Sequence, residues 1–193
     1  MSISTAYSLF RSSSSADTYA LAQRLCELMS WQGPTVRLGA ELRTVEDVLR
    51  MVDVLPNALY LAEGVPFDPV RRTDEYRADA LPTDRGEFEA LLPFILDVDM
   101  PVGELEENFV RALGAGPATI DWEGHWPDVP ELGLLAAPKY EGVQAVFNSD
   151  DVGWERPSQD HTVFVHLRRD LPRAEWLAGQ VGARVLGEPE TGW

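Results

Sequence analysis

Carboxylates gather around a single tryptophan between residues 148 and 160. Asp150, Asp151 and Glu155 flank Trp154 in this segment. An aromatic ring among carboxylates can anchor a basic protein surface and form charge pairs with it. The segment is therefore predicted to contact a partner. The alternative interpretation is a solvated hairpin loop whose Trp packs on the core.

A second segment, residues 121–128, has the same chemistry. It reads DWEGHWPD and contributes Trp122, Glu123 and Trp126. If the two segments lie together, they form an acidic surface with aromatic anchors that can pair with Arg and Lys and stack on guanidinium groups. Structural packing of the tryptophans is the alternative. The predicted partner-binding residues are Asp150, Asp151, Trp154, Glu155, Trp122, Glu123 and Trp126.

Three other residues are the best candidates for catalysis. Asp97 and Asp99 share one face of an extended chain, where paired carboxylates can bind a metal or perform acid/base work, and His125 could join them. His161 and His166 fall on opposite faces of a strand, which argues against joint ligation of a metal. No HExxH, GxSxG or phosphate-loop pattern is present. We expect no catalytic residue, metal or cofactor, with a small carboxylate/His enzyme as the alternative.

The charge balance indicates what kind of partner the protein would meet. The 193 residues include 32 acidic and 16 basic side chains, which gives a formal net charge of −16. Such a surface repels nucleic acid and anionic lipid and favours encounter with basic proteins. We therefore predict a basic protein partner, with a DNA mimic or a scaffold protein as further alternatives.

Helix-like periodicity dominates the first part of the chain and strand-like alternation the later part. Leu21, Leu25 and Leu28 recur at helical spacing, and Thr44 followed by Asp47 predicts a capping box at the start of a second helix. This order favours an α+β fold over a doubly wound α/β fold. We predict one α+β domain over residues 1–193, with helices mainly in the first half packed on a mainly antiparallel sheet from the second half.

The predicted boundaries follow the same periodicities and the positions of glycine and proline. The predicted helices are 17–31, 44–55, 84–92, 103–113 and 172–181. The predicted strands are 3–10, 35–39, 58–62, 118–122, 132–136, 143–147, 162–167 and 183–186. Residues 64–82 are predicted to be a long exposed loop.

Composition also bears on the compartment. The sequence has no apolar run of about 18 residues and no basic segment followed by an apolar one near its start. Cys26 is the single cysteine and falls in a predicted helix, which excludes an internal disulfide. We expect a cytoplasmic protein that does not enter a membrane.

In type, the sequence resembles the immunity proteins of bacterial polymorphic toxin systems. The resemblance rests on Tyr7 and Arg11 near the start, the serine run at 12–15, the helix at 19–28 and the tryptophan-bearing acidic loops. It implies a protein that binds one cognate toxin tightly and blocks its active site or its substrate path. In such a protein the carboxylates would take the place of phosphate groups, and the tryptophans would be buried anchors.

Overall fold

A nine-stranded antiparallel sheet organises the residues described by the computed structural model, which are 4–65, 74–135, 141–168 and 170–192. The strands are β1 (Thr5–Ser12), β2 (Trp31–Leu42), β3 (Tyr60–Ala62), β4 (Glu75–Tyr76), β5 (Phe94–Pro101), β6 (Ala118–His125), β7 (Gly142–Phe147), β8 (His161–Leu167) and β9 (Leu186–Thr191). The helices are α1 (Ser15–Cys26), α2 (Val45–Val54), α3 (Arg85–Glu89), α4 (Glu106–Ala112) and α5 (Leu171–Gln180). The sheet order is β4-β3-β5-β2-β6-β7-β8-β1-β9.

One face of the sheet is apolar and carries the helices. Alternate residues of β6 and β8, such as Ile120, Trp122 and Val165, are buried on this face. Helices α1, α2 and α5 contact the sheet there, and α4 packs on α1 and α2. Because strand side chains alternate between faces, the intervening residues lie on the opposite side, which we call the open face. The open face carries the polar side chains of Arg37, Asp121 and their cross-strand neighbours.

The predicted α+β class is confirmed, but the sheet does not come from the second half of the chain alone. Strands β1 to β5 begin before residue 97, and three of the five helices in the described residues lie in the first half. Gly33 and Pro34 were expected to separate a helix from a short strand. Instead they lie inside the long strand β2, where its register with β6 shifts between Gln32 and Val36. A proline is tolerated in a strand at such an irregularity.

One predicted helix start is confirmed, and several other predicted boundaries differ from the structure. The capping box is confirmed, because Thr44 and Asp47 exchange hydrogen bonds between side chain and backbone at the start of α2. The acidic loop expected at 121–128 is a loop only after His125, since β6 runs through residues 121–125. The predicted strand at 132–136 is wrong over 132–135, where a short 3-10 helix and one isolated bridge occur, and residue 136 lies outside the described residues. The last strand begins three residues later than predicted.

Part of the predicted long loop at 64–82 lies outside the described residues, namely 66–73. Its later part contains the short strand β4 and a 3-10 helix at Ala78–Ala80. Within the described parts of the chain, no helix combines the length and hydropathy that a membrane span requires.

The predicted hairpin around residues 148–160 is confirmed. Strands β7 and β8 pair antiparallel, and the connecting segment folds back over the open face. Val152 and Trp154 of this segment pack against a small apolar cluster formed by Ala6, Val146 and Phe164. The segment is called the acidic loop below. Its packing places Trp154 beside the polar part of the sheet.

Candidate partner-binding groove

Two adjoining cavities lie side by side on the open face and form one groove. Their volumes are about 480 and about 520 Å³. Both are lined by Arg37, Asp97 and Asp121. The first extends beneath Trp154, and the second extends towards further carboxylates on β5 and β6. Cavities of this size accommodate small molecules or single protruding side chains.

Strand register aligns three charged residues across the groove. Arg37 of β2 pairs with Asp99 of β5 on one side and with Asp121 of β6 on the other. Its guanidinium forms a two-point ion pair with Asp97, with Nε donating to Oδ1 at 2.6 Å. The hydrogen bonds from Arg37 hold the pKa of Asp97 below its ordinary value. Asp97 and Asp99 share the open face, as their spacing predicted.

Trp154 forms the wall of the first cavity. Its φ of 65° lies in the left-handed region, which large side chains rarely adopt and which costs of the order of 1–3 kcal/mol. The indole lies over Gly39, where a Cβ atom would come within 3.1 Å of both the ring and Thr119 Cγ2. Glycine at position 39 therefore lets the ring pack directly against the sheet. The part of the first cavity beside this contact, which Trp154, Thr119 and Asp121 line, is called the notch below.

A directional chain of hydrogen bonds forms the floor of the first cavity. Ser4 Oγ lies 2.9 Å from His166 Nδ1, and His166 Nε2 lies 3.0 Å from Gln144 Oε1. Gln144 Nε2 donates to Thr119 Oγ1 at 3.2 Å, and Thr119 donates to Asp121 Oδ1 at 2.8 Å. With a neutral imidazole, each donor in the chain points towards the Asp121 carboxylate.

Burial perturbs both titratable ends of this chain. Removal from water lowers the pKa of His166 to about 3, which keeps its ring neutral. Burial raises the pKa of Asp121 to about 7, although hydrogen bonds from Thr119 and Gln144 and the charge of Arg37 act in the opposite direction. Asp121 is therefore a carboxyl group whose charge changes near neutral pH and whose side chain faces the groove.

Asp151 organises the acidic loop internally. It was predicted to contact a partner, and this stays a prediction that burial does not favour, because its side chain has a relative exposure of only 6%. Its Oδ1 accepts a hydrogen bond from the Glu155 backbone at 2.9 Å, and its Oδ2 accepts one from Arg156 Nε at 3.1 Å. Asp151 thereby closes the turn that presents Trp154, so its role in the structure is to position the loop.

The other two acids predicted in this loop differ in accessibility. Asp150 is half-buried and lies 3.6 Å from Arg11 in an ion pair with the neighbouring strand β1. Glu155 is exposed. Their roles in partner binding stay predictions.

Trp122 and Trp126 are not accessible to a partner. Trp122 has a relative exposure of 2%, lies on the helix side and has its ring centroid 6.2 Å from that of Tyr19. Trp126 is fully buried, and its indole Nε1 donates to the His166 backbone carbonyl at 3.4 Å. Strand alternation turns position 122 inward, and the chain after β6 carries 126 into the core. The anchoring role of both residues stays a prediction that this burial does not favour.

Glu123 is the residue of this segment that reaches the groove. It is exposed, lines the second cavity and lies two residues from Asp121 on the same face of β6. The two acidic segments therefore both reach the groove, Trp154 at its first cavity and Glu123 at its second. Sequence reasoning missed the parts of the groove that come from distant strands, above all Arg37, Gly39 and Gln144, because their proximity depends on the sheet order.

The structure does not bring together the three residues of the alternative enzymatic site. Asp97 and Asp99 line the second cavity, whereas His125 does not line either cavity of the groove. His125 instead stacks on Trp31 with ring centroids 4.8 Å apart. Within the described residues, no group of three or more His, Cys, Asp and Glu side chains is arranged to hold a metal ion.

Comparison with known proteins gives no relative: no protein-family model, curated protein or solved structure matches this chain.

Proposed function

We propose that the chain is an acidic protein-binding inhibitor, an immunity protein that neutralises a basic bacterial toxin by covering its active site. The observation that carries the proposal is the charge of the groove on the open face. Four carboxylates, those of Asp97, Asp99, Asp121 and Glu123, line its second cavity with the single guanidinium of Arg37. This arrangement leaves the groove acidic and complementary to a cationic surface.

The accessibility of the groove supports the same proposal. Asp99 and Glu123 are exposed, and neither side chain forms an ion pair with another residue that the structure describes. The helices occupy the opposite side of the sheet, so a partner can approach the open face without displacing them. The overall charge of −16 adds long-range attraction for a basic partner, which raises the association rate at low salt.

The proposed site of action is the cytoplasm, and the composition supports it. The chain contains one cysteine, Cys26, so it carries no internal disulfide of the kind used by small proteins in oxidising compartments.

The test is protection of cells. The tagged chain is used to capture proteins from cells that encode it, and each stoichiometric basic partner is expressed alone and together with the chain. We expect one partner that stops growth alone and is harmless when the chain is co-expressed. The double variant Asp99→Asn/Glu123→Gln should protect less well and should associate with the partner at least about fivefold more slowly at low salt, because exposed charges act mainly through steering.

The matched control carries the same loss of charge on the helix side. Asp53→Asn/Glu27→Gln changes two exposed carboxylates on α2 and at the end of α1. We expect this variant to protect as the parent does. Equal loss of protection in both variants would assign the effect to net charge and remove the groove from the proposal. Capture of many nucleic-acid-binding proteins in place of one toxic partner would contradict it in favour of a DNA mimic.

A further inference from the structure

We propose that the notch, the part of the first cavity lined by Trp154, Thr119 and Asp121, receives the guanidinium group of an arginine side chain on the surface of the basic partner. This inference rests on the proposed function and specifies the chemical group that its groove recognises. It is argued from the shape of the notch, the groups that line it and their charge.

The notch has one aromatic wall and one polar wall. The Trp154 indole and Thr119 Cγ2 fill the space directly above Gly39, and both residues line the cavity beside this contact together with Asp121. Thr119 in turn donates a hydrogen bond to Asp121 Oδ1 at 2.8 Å. A group that enters the cavity therefore meets the indole and, next to it, a carboxylate.

Guanidinium is the group that fits both walls. It is planar, stacks on aromatic faces and donates hydrogen bonds in a fixed fork that matches a carboxylate. The chain itself shows this chemistry in the same groove, where Arg37 binds Asp97 through two nitrogen atoms. An ammonium group satisfies the charge but lacks the plane, so the notch should favour arginine over lysine.

The size of the cavity and its charge agree with a protruding side chain. The cavity beneath Trp154 has a volume of about 480 Å³ and continues into the second cavity at Asp121. The charged and titratable groups that line the two cavities around Asp121 are Arg37, Asp97, Asp99, Glu123 and His166. His166 is held neutral by burial, so carboxylates outnumber cations around the notch.

The experiment titrates the purified full chain with N-acetyl-arginine N-methylamide, whose only charge is the guanidinium. NMR follows the backbone amide signals of the residues that line the groove in parent and variants, and the Trp154 indole signal where that residue is present. The neutral isostere N-acetyl-citrulline N-methylamide and the corresponding lysine compound are titrated in parallel. We expect a dissociation constant of the order of 1–10 mM for the arginine compound, as for a single side chain. The lysine compound should bind less tightly, and the citrulline compound about tenfold less tightly because it has no charge.

Two variants locate the binding site. Trp154→Ala should weaken binding of the arginine compound at least about threefold, whereas Trp176→Ala, which removes a half-buried tryptophan from α5, should not. Asp121→Asn keeps the shape of the side chain and should also weaken binding. For the parent, affinity should rise about tenfold from pH 6 to pH 8, because the ionised fraction of a carboxyl group with a pKa of about 7 rises by that factor.

Three results would overturn the inference. They are equal affinity for the arginine and citrulline compounds, shifts that map outside the groove, and binding by Trp154→Ala and Asp121→Asn that equals the parent's. A dissociation constant below about 10 μM would identify a small-molecule site and contradict the docking role.

The outcome is independent of the protection test. If the probe fails while the chain still protects cells, the arginine site is wrong and the inhibitor proposal stands. If the probe binds and no toxic partner exists, the inhibitor proposal is wrong and the arginine site stands.

Discussion

The buried position of Asp121 makes the free energy of unfolding fall as pH rises. Its pKa of about 7 in the folded protein lies above its ordinary value of 3.8, so the folded state holds the proton more strongly than the unfolded chain. The stabilisation that comes from this tighter proton binding is fully present below about pH 4 and is lost as pH rises through 7. A shift of this size corresponds to up to about 4 kcal/mol at pH 8.

Asp121→Asn should therefore stabilise the protein at pH 8, by up to about 4 kcal/mol, and have little effect at pH 4. The asparagine keeps an oxygen for the hydrogen bond from Thr119 and never ionises. The measurement is the free energy of unfolding of parent and variant by urea titration at both pH values. Asp53→Asn, at an exposed carboxylate of α2, should show no such pH-dependent gain.

Burial of His166 gives stability the opposite dependence on pH. Because parent and Asp121→Asn both contain His166, its contribution cancels in the difference between their free energies of unfolding. Because its folded-state pKa is lowered to about 3, its stabilising contribution is present above about pH 6.5 and declines as pH falls towards 3. An Asp121→Asn variant with the same stability difference at pH 4 and pH 8 would mean that this carboxylate is solvated, which would contradict its assignment to a desolvated groove.

At the residue scale, the sequence predicted types of chemistry better than individual roles. Carboxylates near tryptophan were recognised, and Trp154 and Glu123 do reach the groove. Trp122 and Asp151 have the same residue types but are buried. Their burial follows from the strand phase of β6 and from local hydrogen bonds in the acidic loop. Both depend on neighbours that a sequence pattern alone does not specify.

The acidic loop is an element whose shape depends on one side chain. Asp151→Ala removes the acceptor for the Glu155 backbone and for Arg156. We expect the loop to lose its fixed turn, so that Trp154 becomes more exposed and cleavage within residues 148–160 by a protease becomes at least several-fold faster. The wavelength of Trp fluorescence and limited proteolysis measure these changes.

Glu155→Ala is the matched control, because it removes an exposed carboxylate from the same loop. It should leave the proteolysis rate close to the parent value. If both variants resist cleavage equally, packing of Val152 and Trp154 on the sheet holds the loop without help from Asp151.

At the element scale, a helix or strand was predicted correctly where its formation depends mainly on residues close to it in the sequence. The capping box at Thr44 and the two arms of the β7/β8 hairpin were predicted because their signals are local. Strand β2 was predicted too short, because Gly33 and Pro34 normally interrupt a strand and only the bulge against β6 accommodates them.

The net charge of −16 should oppose folding of the whole molecule. Like charges repel one another more strongly in the compact state, and added salt screens this repulsion. We expect the melting temperature to rise by a few degrees, about 2–5 °C, when NaCl increases from 0.05 to 0.5 M at pH 8. Thermal unfolding monitored by circular dichroism measures the change.

The same salt increase should have no such effect at a pH where the net charge is close to zero. A melting temperature that falls with salt at pH 8 would show that ion pairs such as Arg37–Asp97 and Arg85–Glu46 contribute more than the general repulsion. In either case the salt response of stability is separate from that of partner association, which should slow as salt rises.

For the molecule as a whole, the fold class was predictable and the sheet order was not. Alternating apolar residues indicated strands, and the order of helices and strands along the chain indicated an α+β fold with a mainly antiparallel sheet. The arrangement of β5, β2 and β6 side by side, which creates the groove, joins segments near residues 37, 97 and 121. Nothing local in the sequence specifies these pairings.

The position of β1 in the sheet has a consequence for biosynthesis. This strand is made before the other eight, and among the described residues its partners are β8 and β9, which are made about 150 and about 180 residues later. The sheet therefore cannot close while β2 to β7 are being made, and β1 must wait for β8 before it can pair. A nascent chain that has not yet reached β9 would lack a complete open face, so binding of a partner there requires all nine strands.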